Sequence, residues 1–170
     1  MTSRTAGSGV RAFILLCAAV LLDQVTKWLA YTRLRSVWSV PLIPGILELQ
    51  YLENRGAAFG MLRNRQWIFI LFALVIMAGC VWYGSRLPHT RRFTPLRLCL
   101  VFLSAGALGN MIDRIAHQFV IDFIYFKIIN FPIFNVADIY VTVSVTLLVI
   151  LILFYYKDQE FTSDADRSDH

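Results

Sequence analysis

Charge is scarce in this chain, and nearly missing from four long stretches of it. Only 16% of the 170 residues are Asp, Glu, Lys or Arg, while 58% are hydrophobic. A soluble domain carries about 25% charged and roughly 45–50% apolar residues, so an ordinary soluble globule is excluded. The three cysteines, Cys17, Cys80 and Cys99, all lie inside apolar runs. They have neither metal-ligand spacing nor a disulfide pattern and read as small apolar packers. His89, His117 and His170 are scattered, which leaves no histidine pair for a metal. P-loop and dinucleotide signatures are missing, and no cofactor is expected. Ser104 and Ser144 lie in apolar runs without a nearby lysine, so a membrane Ser–Lys dyad has no candidate. The net charge of +5 does not mark a nucleic-acid binder. In a chain this apolar, basic residues belong in loops that face anionic lipid headgroups.

Four apolar runs, residues 12–31, 67–84, 96–112 and 136–156, account for the excess. Each approaches the ~20 residues needed to cross a ~30 Å hydrocarbon core. Arg4 and Arg11 before the first run resemble a secretory signal, but no small-x-small site follows and apolar character resumes after Asp23. A retained first span is expected, within one domain over residues 1–170. Residues 35–62 change character, because Pro41, Pro44 and Gly45 exclude one continuous helix. Alternation over residues 47–53 and strand formers over 36–40 predict two short strands in a half-buried sheet on the membrane surface. Residues 115–134 read as a second outer connection. Arg86, Arg91, Arg92 and Arg97 form the densest basic cluster, which places that loop in the cytoplasm. Four spans then put both termini on the same side. The acidic tail, 157–170, is expected to be disordered.

Against this apolar background the polar residues stand out, since an ionisable group in a span needs a partner or a task. Asp23 and Lys27 are four apart with the acid first, the favourable order for a helical ion pair. They are expected to be a structural pair, with Lys27 snorkelling outward. Small residues over 105–110 suit close helix packing, and Gly106, Asn110 and Arg114 share one helix face. Helix packing explains Gly106 and Gly109 but not Asn110, Asp113 and Arg114 at one helix end. Asn135 precedes Asp138 by three, the form of a helix start with a cap and an acid in the first turn. Asp122 is flanked by Val120, Ile121, Phe123 and Ile124 and is expected to be half buried on the same membrane face as Asp138. Two carboxylates within a few Å cannot both ionise comfortably and share a proton. One can then activate a water while the other protonates a carbonyl oxygen, as in aspartic proteases. The chief alternative is a small proton-coupled transporter or channel. That class favours acids or broken helices near the midplane, whereas here the acids crowd one boundary. A structural membrane partner without activity would leave the cluster unexplained.

From Asp23 to Asp138 the chain resembles the lipoprotein signal peptidases (signal peptidase II), bacterial membrane aspartyl endopeptidases. The resemblance rests on Asp23-Gln-Val-Thr-Lys27, Asn54-Arg-Gly-Ala-Ala-Phe59, Gly106-Ala-Leu-Gly-Asn-Met-Ile-Asp-Arg114, Val120-Ile-Asp-Phe123 and Phe134-Asn-Val-Ala-Asp138. Their order and spacing together are far more specific than any one block. The family's third block usually opens Gly-Gly, and here the first position is Ala105. The resemblance implies an all-α integral membrane fold of four transmembrane helices with a small extracytoplasmic antiparallel β-sheet, the β-cradle. It implies catalysis by Asp122 and Asp138, at the outer face of the bacterial cytoplasmic (inner) membrane. The implied substrate is a prolipoprotein already carrying diacylglycerol on the cysteine after its signal peptide, cut before that cysteine. Inhibition by the cyclic peptide globomycin is likewise implied. Asn54, Gly56, Asn110, Arg114 and Asn135 then become candidates to support the acids or bind the substrate backbone, and Asp113 to hold Arg114 or its loop in place.

Overall fold

The structure, a computed structural model, describes residues 2–56, 65–88 and 90–156. Its elements follow the apolar runs. Helix α1 (Thr2–Leu34) leads into strands β1 (Ser39–Ile43) and β2 (Leu47–Asn54), then α2 (Gln66–Arg86) and α3 (Thr94–His117). Strand β3 (Val120–Phe126) and α4 (Val136–Ile150) complete the chain, and α4 runs on into a π-helical turn, Leu151–Tyr155. Four stretches are long and apolar enough to cross a membrane: Gly9–Leu34, Gln66–Arg86, Arg91–His117 and Val136–Tyr155. The acidic tail lies outside the described residues.

Helix α3 occupies the middle of the bundle, packed by α1, α2 and α4. Its small residues permit this. A Cβ on Gly106 would lie 2.5 Å from the Ala137 carbonyl oxygen and 2.7 Å from Val141 Cγ2 on α4. A Cβ on Gly109 would collide with the Asp23 carboxylate on α1 and meet Ala137 Cβ at 3.5 Å. Ala105 is fully buried, so the position where the family pattern has glycine still packs tightly. Helix α3 outlasts its expected end by more than a turn, stopping where Gln118 adopts a left-handed φ of 64°. The apolar run ends at Ile112, but hydrogen bonding of the helix does not depend on apolar side chains.

The sheet has three strands in the order β1-β2-β3, all antiparallel, rather than the two expected. The third comes from the connection after α3, and β1 starts three residues later than the pattern suggested. Pro41 sits within β1, an edge strand, where a missing N–H costs no ladder bond. Ile121 and Phe123 of β3 pack with Tyr51 against Ala30 and Leu34 of α1, which fastens the sheet to one end of the bundle. At the far end Cys80, Leu87, Phe93, Leu96, Leu100 and Tyr156 form a second core.

Candidate active site

Asp138 is placed by the start of α4. Asn135 is the N-cap: its Oδ1 accepts the Asp138 backbone N–H at 3.0 Å, and its own N–H donates to Asp138 Oδ2 at 3.1 Å. This reciprocal cap fixes the Asp138 side chain over the positive end of the helix. A second carboxylate arrives from α1, where Asp23 Oδ1 accepts the N–H of Ala137 at 2.9 Å.

Asp122 is placed by the two-residue alternation of β3. Ile121 and Phe123 turn toward α1, so Asp122 points the other way. It is opposite Leu52 across an irregularity in the β2–β3 register and only 1% exposed. Asn135 Nδ2 donates to its Oδ1 at 2.6 Å and Asn54 Nδ2 to its Oδ2 at 2.8 Å. Burial, and then the negative charge of Asp138, push the Asp122 carboxyl up from 3.8 to about 7, against the opposing pull of the two amides and, more weakly, of the Lys27 charge. Asn135 thus holds both acids, Asp122 with its side chain and Asp138 through the cap.

Three asparagines serve the acids in the same manner. The Oδ1 of Asn54 accepts the Gly56 N–H at 3.1 Å, that of Asn135 accepts the Asp138 N–H, and that of Asn110 accepts from Lys27 Nζ at 2.8 Å. None of these donors can accept in return. Each amide therefore turns its NH2 toward a carboxylate, and Asn110 Nδ2 donates to Asp138 Oδ1 at 2.8 Å. Asn135 Nδ2 also reaches Asn110 Oδ1 at 3.2 Å.

Lys27 does not snorkel. It is 1% exposed, 2.9 Å from Asp23 and 3.1 Å from Asp113. Two carboxylates and an amide oxygen offset the loss of water, which a lone buried ammonium could not survive. Asp113 also accepts from Gln24 Nε2 at 3.1 Å and from the N–H of Ile121 at 3.2 Å, so it anchors β3 beside Asp122. Arg114, expected to be its partner, instead donates to the Asn110 carbonyl at 3.2 Å and lies over the Phe69 ring at 4.5 Å.

Asp122, Asp138 and Arg114 line one cavity of about 1550 Å3, roofed by Glu53, Asn54, Arg55 and Gly56 and walled by Phe69, Ile139 and Val143. Arg114 Nε is buried and unpartnered among the described residues. Sequence reasoning missed Gln24 and Phe69. Gln24 lies between Asp23 and Lys27 in the same motif, which is a signal of sorts, but Phe69 sits in a uniformly apolar run that offers none.

Fold and site together define a class: a polytopic membrane protein with paired carboxylates in a cavity between its bundle and a small sheet. Comparison with known proteins narrows it. The family profile for signal peptidase (SPase) II matches residues 15–154. A lipoprotein signal peptidase of Symbiobacterium thermophilum is 49% identical over 139 residues, covering 81% of this chain and 90% of the relative. One from Anoxybacillus flavithermus is 41% identical over 165 residues, covering 95% and 97%. Two solved structures, both described as bacterial membrane enzymes, match with TM-scores of 0.75 and 0.73 at 31% identity. They cover 87% and 86% of this chain and 92% and 94% of their own. The chain belongs to the signal peptidase II family, a family of membrane proteases, and the grounds for a transporter fall away.

Proposed function

We propose that the chain is an aspartic endopeptidase in which Asp122 and Asp138 hydrolyse the bond before the diacylglyceryl-modified cysteine of prolipoproteins, releasing their signal peptides. The observation that carries this reading is the sharing of Asn135 by two carboxylates that line one cavity. One carboxylate takes a proton from a water as its oxygen attacks the scissile carbonyl carbon, and the other gives its proton to the carbonyl oxygen. In the resulting gem-diol the roles reverse. The first acid protonates the leaving nitrogen, the second recovers its proton from a hydroxyl, and the C–N bond breaks.

The setting suits a lipid-bearing peptide. The signal helix lies beside α4 in the bilayer while the cavity, with its apolar wall and polar roof, takes the extended segment around the cut. Arg114 and the asparagine amides are the donors available to its backbone. Globomycin, a cyclic peptide, competes for the same space. The sheet end faces the outer side of the cytoplasmic membrane and both termini face inward, a reading supported by Arg86, Arg91, Arg92 and Arg97 at the opposite end. The test is cleavage of a diacylglyceryl-modified peptide by Asp122→Asn and Asp138→Asn chains. Each is expected to insert and fold but lose turnover, and near-normal turnover by either would overturn the pairing.

A further inference from the structure

Two of the three asparagines are oriented by backbone N–H groups, which every variant of the chain retains. Asn110 differs, because its orientation is set by a side chain from another helix, Lys27. An ammonium group can only donate. With Lys27 in place Asn110 must present its oxygen to α1 and its NH2 to Asp138. Without Lys27 only the longer contact from Asn135 Nδ2, at 3.2 Å, opposes the amide's turning over and presenting its oxygen to Asp138, where only a protonated carboxyl could bond to it.

The geometry points to Lys27 as a positioning residue that, through the fixed amide of Asn110, reserves Asp138 as the base of the pair and leaves the reactive proton to Asp122. This inference rests on the endopeptidase reading and divides the labour that reading leaves open. Both Asp138 oxygens accept N–H groups, from Asn110 and from the Asn135 backbone, at the positive end of α4. Among the described residues Asp122 accepts only from neutral side-chain amides, those of Asn54 and Asn135, and its carboxyl is raised to about 7. Arg114 from α3 acts on Asp122, Asp138 and Asp113, and Glu53 and Arg55 line the same cavity. Lys27 faces Asp23 from α1 and Asp113 from α3 and also acts weakly on Asp122, so the Asn110 variant is what separates its charge from its hold on the amide.

The experiment compares kcat, KM and their pH dependence for full-length chains in lipid bilayers, cleaving a diacylglyceryl-modified peptide. Lys27→Met should lower kcat by about tenfold or more, the scale of a lost hydrogen bond to a charged group. KM should stay nearly constant, and the acid limb of the kcat profile should move upward by about one pH unit. Asn110→Asp keeps an acceptor for Lys27 but cannot donate to Asp138, and should displace the same limb in the same direction. Lys27→Arg should restore part of the loss. Should Lys27→Met fail to fold, Lys27→Met combined with Asp113→Asn, which keeps the buried charge balanced, decides the matter. A folded chain of either kind with an unmoved pH profile, or a loss that is equal at every pH and follows thermal stability alone, overturns the inference. Turnover by Asp122→Asn or Asp138→Asn, measured alongside, would instead sink the endopeptidase reading itself.

Discussion

Asp23 on α1 accepts the backbone N–H of Ala137 on α4 at 2.9 Å, so a carboxylate from the first helix completes the cap of the fourth. The same side chain pairs with Lys27. Removing it as Asp23→Ala leaves the Ala137 N–H without its acceptor and Lys27 with only Asp113 and the Asn110 oxygen, and should cost about 1–3 kcal/mol. Asp23→Asn keeps an acceptor for Ala137 and should cost less. Thermal unfolding of both variants in one bilayer composition checks the order.

Gly106 and Gly109 should not tolerate even alanine. At Gly106 the added Cβ meets a backbone carbonyl, which can move only if α4 moves. Gly106→Ala should therefore destabilise by about 1–3 kcal/mol, the scale of core overpacking, and reduce turnover by displacing Asp138. Gly109→Ala pushes on Asp23 instead, and should be sensitive to it: combined with Asp23→Asn, the two costs should fail to add. A double-mutant cycle of melting temperatures measures this.

Stability should depend on pH through Asp122. Its carboxyl is raised from 3.8 to about 7 in the folded chain, so the native state keeps a proton that the unfolded state has already released. The stabilisation is fully present below 3.8 and is lost as pH rises through about 7, on the order of a few kcal/mol in all. Asp122→Asn removes that dependence. It should melt above the parent at mildly alkaline pH and converge with it in acid, seen by melting temperature across the range.

Asn135→Ala should act on activity and stability together. It removes a helix cap, at about 0.5–2 kcal/mol, and the side-chain donor to Asp122. Turnover of the lipid-modified peptide should fall about tenfold or more, the scale of a hydrogen bond to a charged group. Asn54→Ala spares the cap, so it should reduce turnover with little change in melting temperature.

Much of this arrangement was legible in the sequence, for identifiable reasons. Apolar runs announce the four helices because lipid and core impose the same preference, and Asn135 with Asp138 spells out a cap within four residues. Local patterns carry no register, however. Strand β3 pairs with β2 across some seventy residues of chain, and a short apolar run around Asp122 gives no hint of its partner. The burial of Lys27 was hidden for a related reason. A lysine near a helix end can reach water, and only the distant Asp113 and Asn110, brought close by Gly109, give it a better place to stay.

The division of these residues along the chain has a consequence for biogenesis. Asn54 and Lys27 belong to the part synthesised first, whereas both acids of the pair come after residue 119. A nascent polypeptide that has threaded only α1 and α2 into the bilayer has Asn54 and Lys27 but not Asn110, Asn135 or the two acids. The cavity that both acids line is therefore complete only once α3, β3 and α4 have joined α1 and β2.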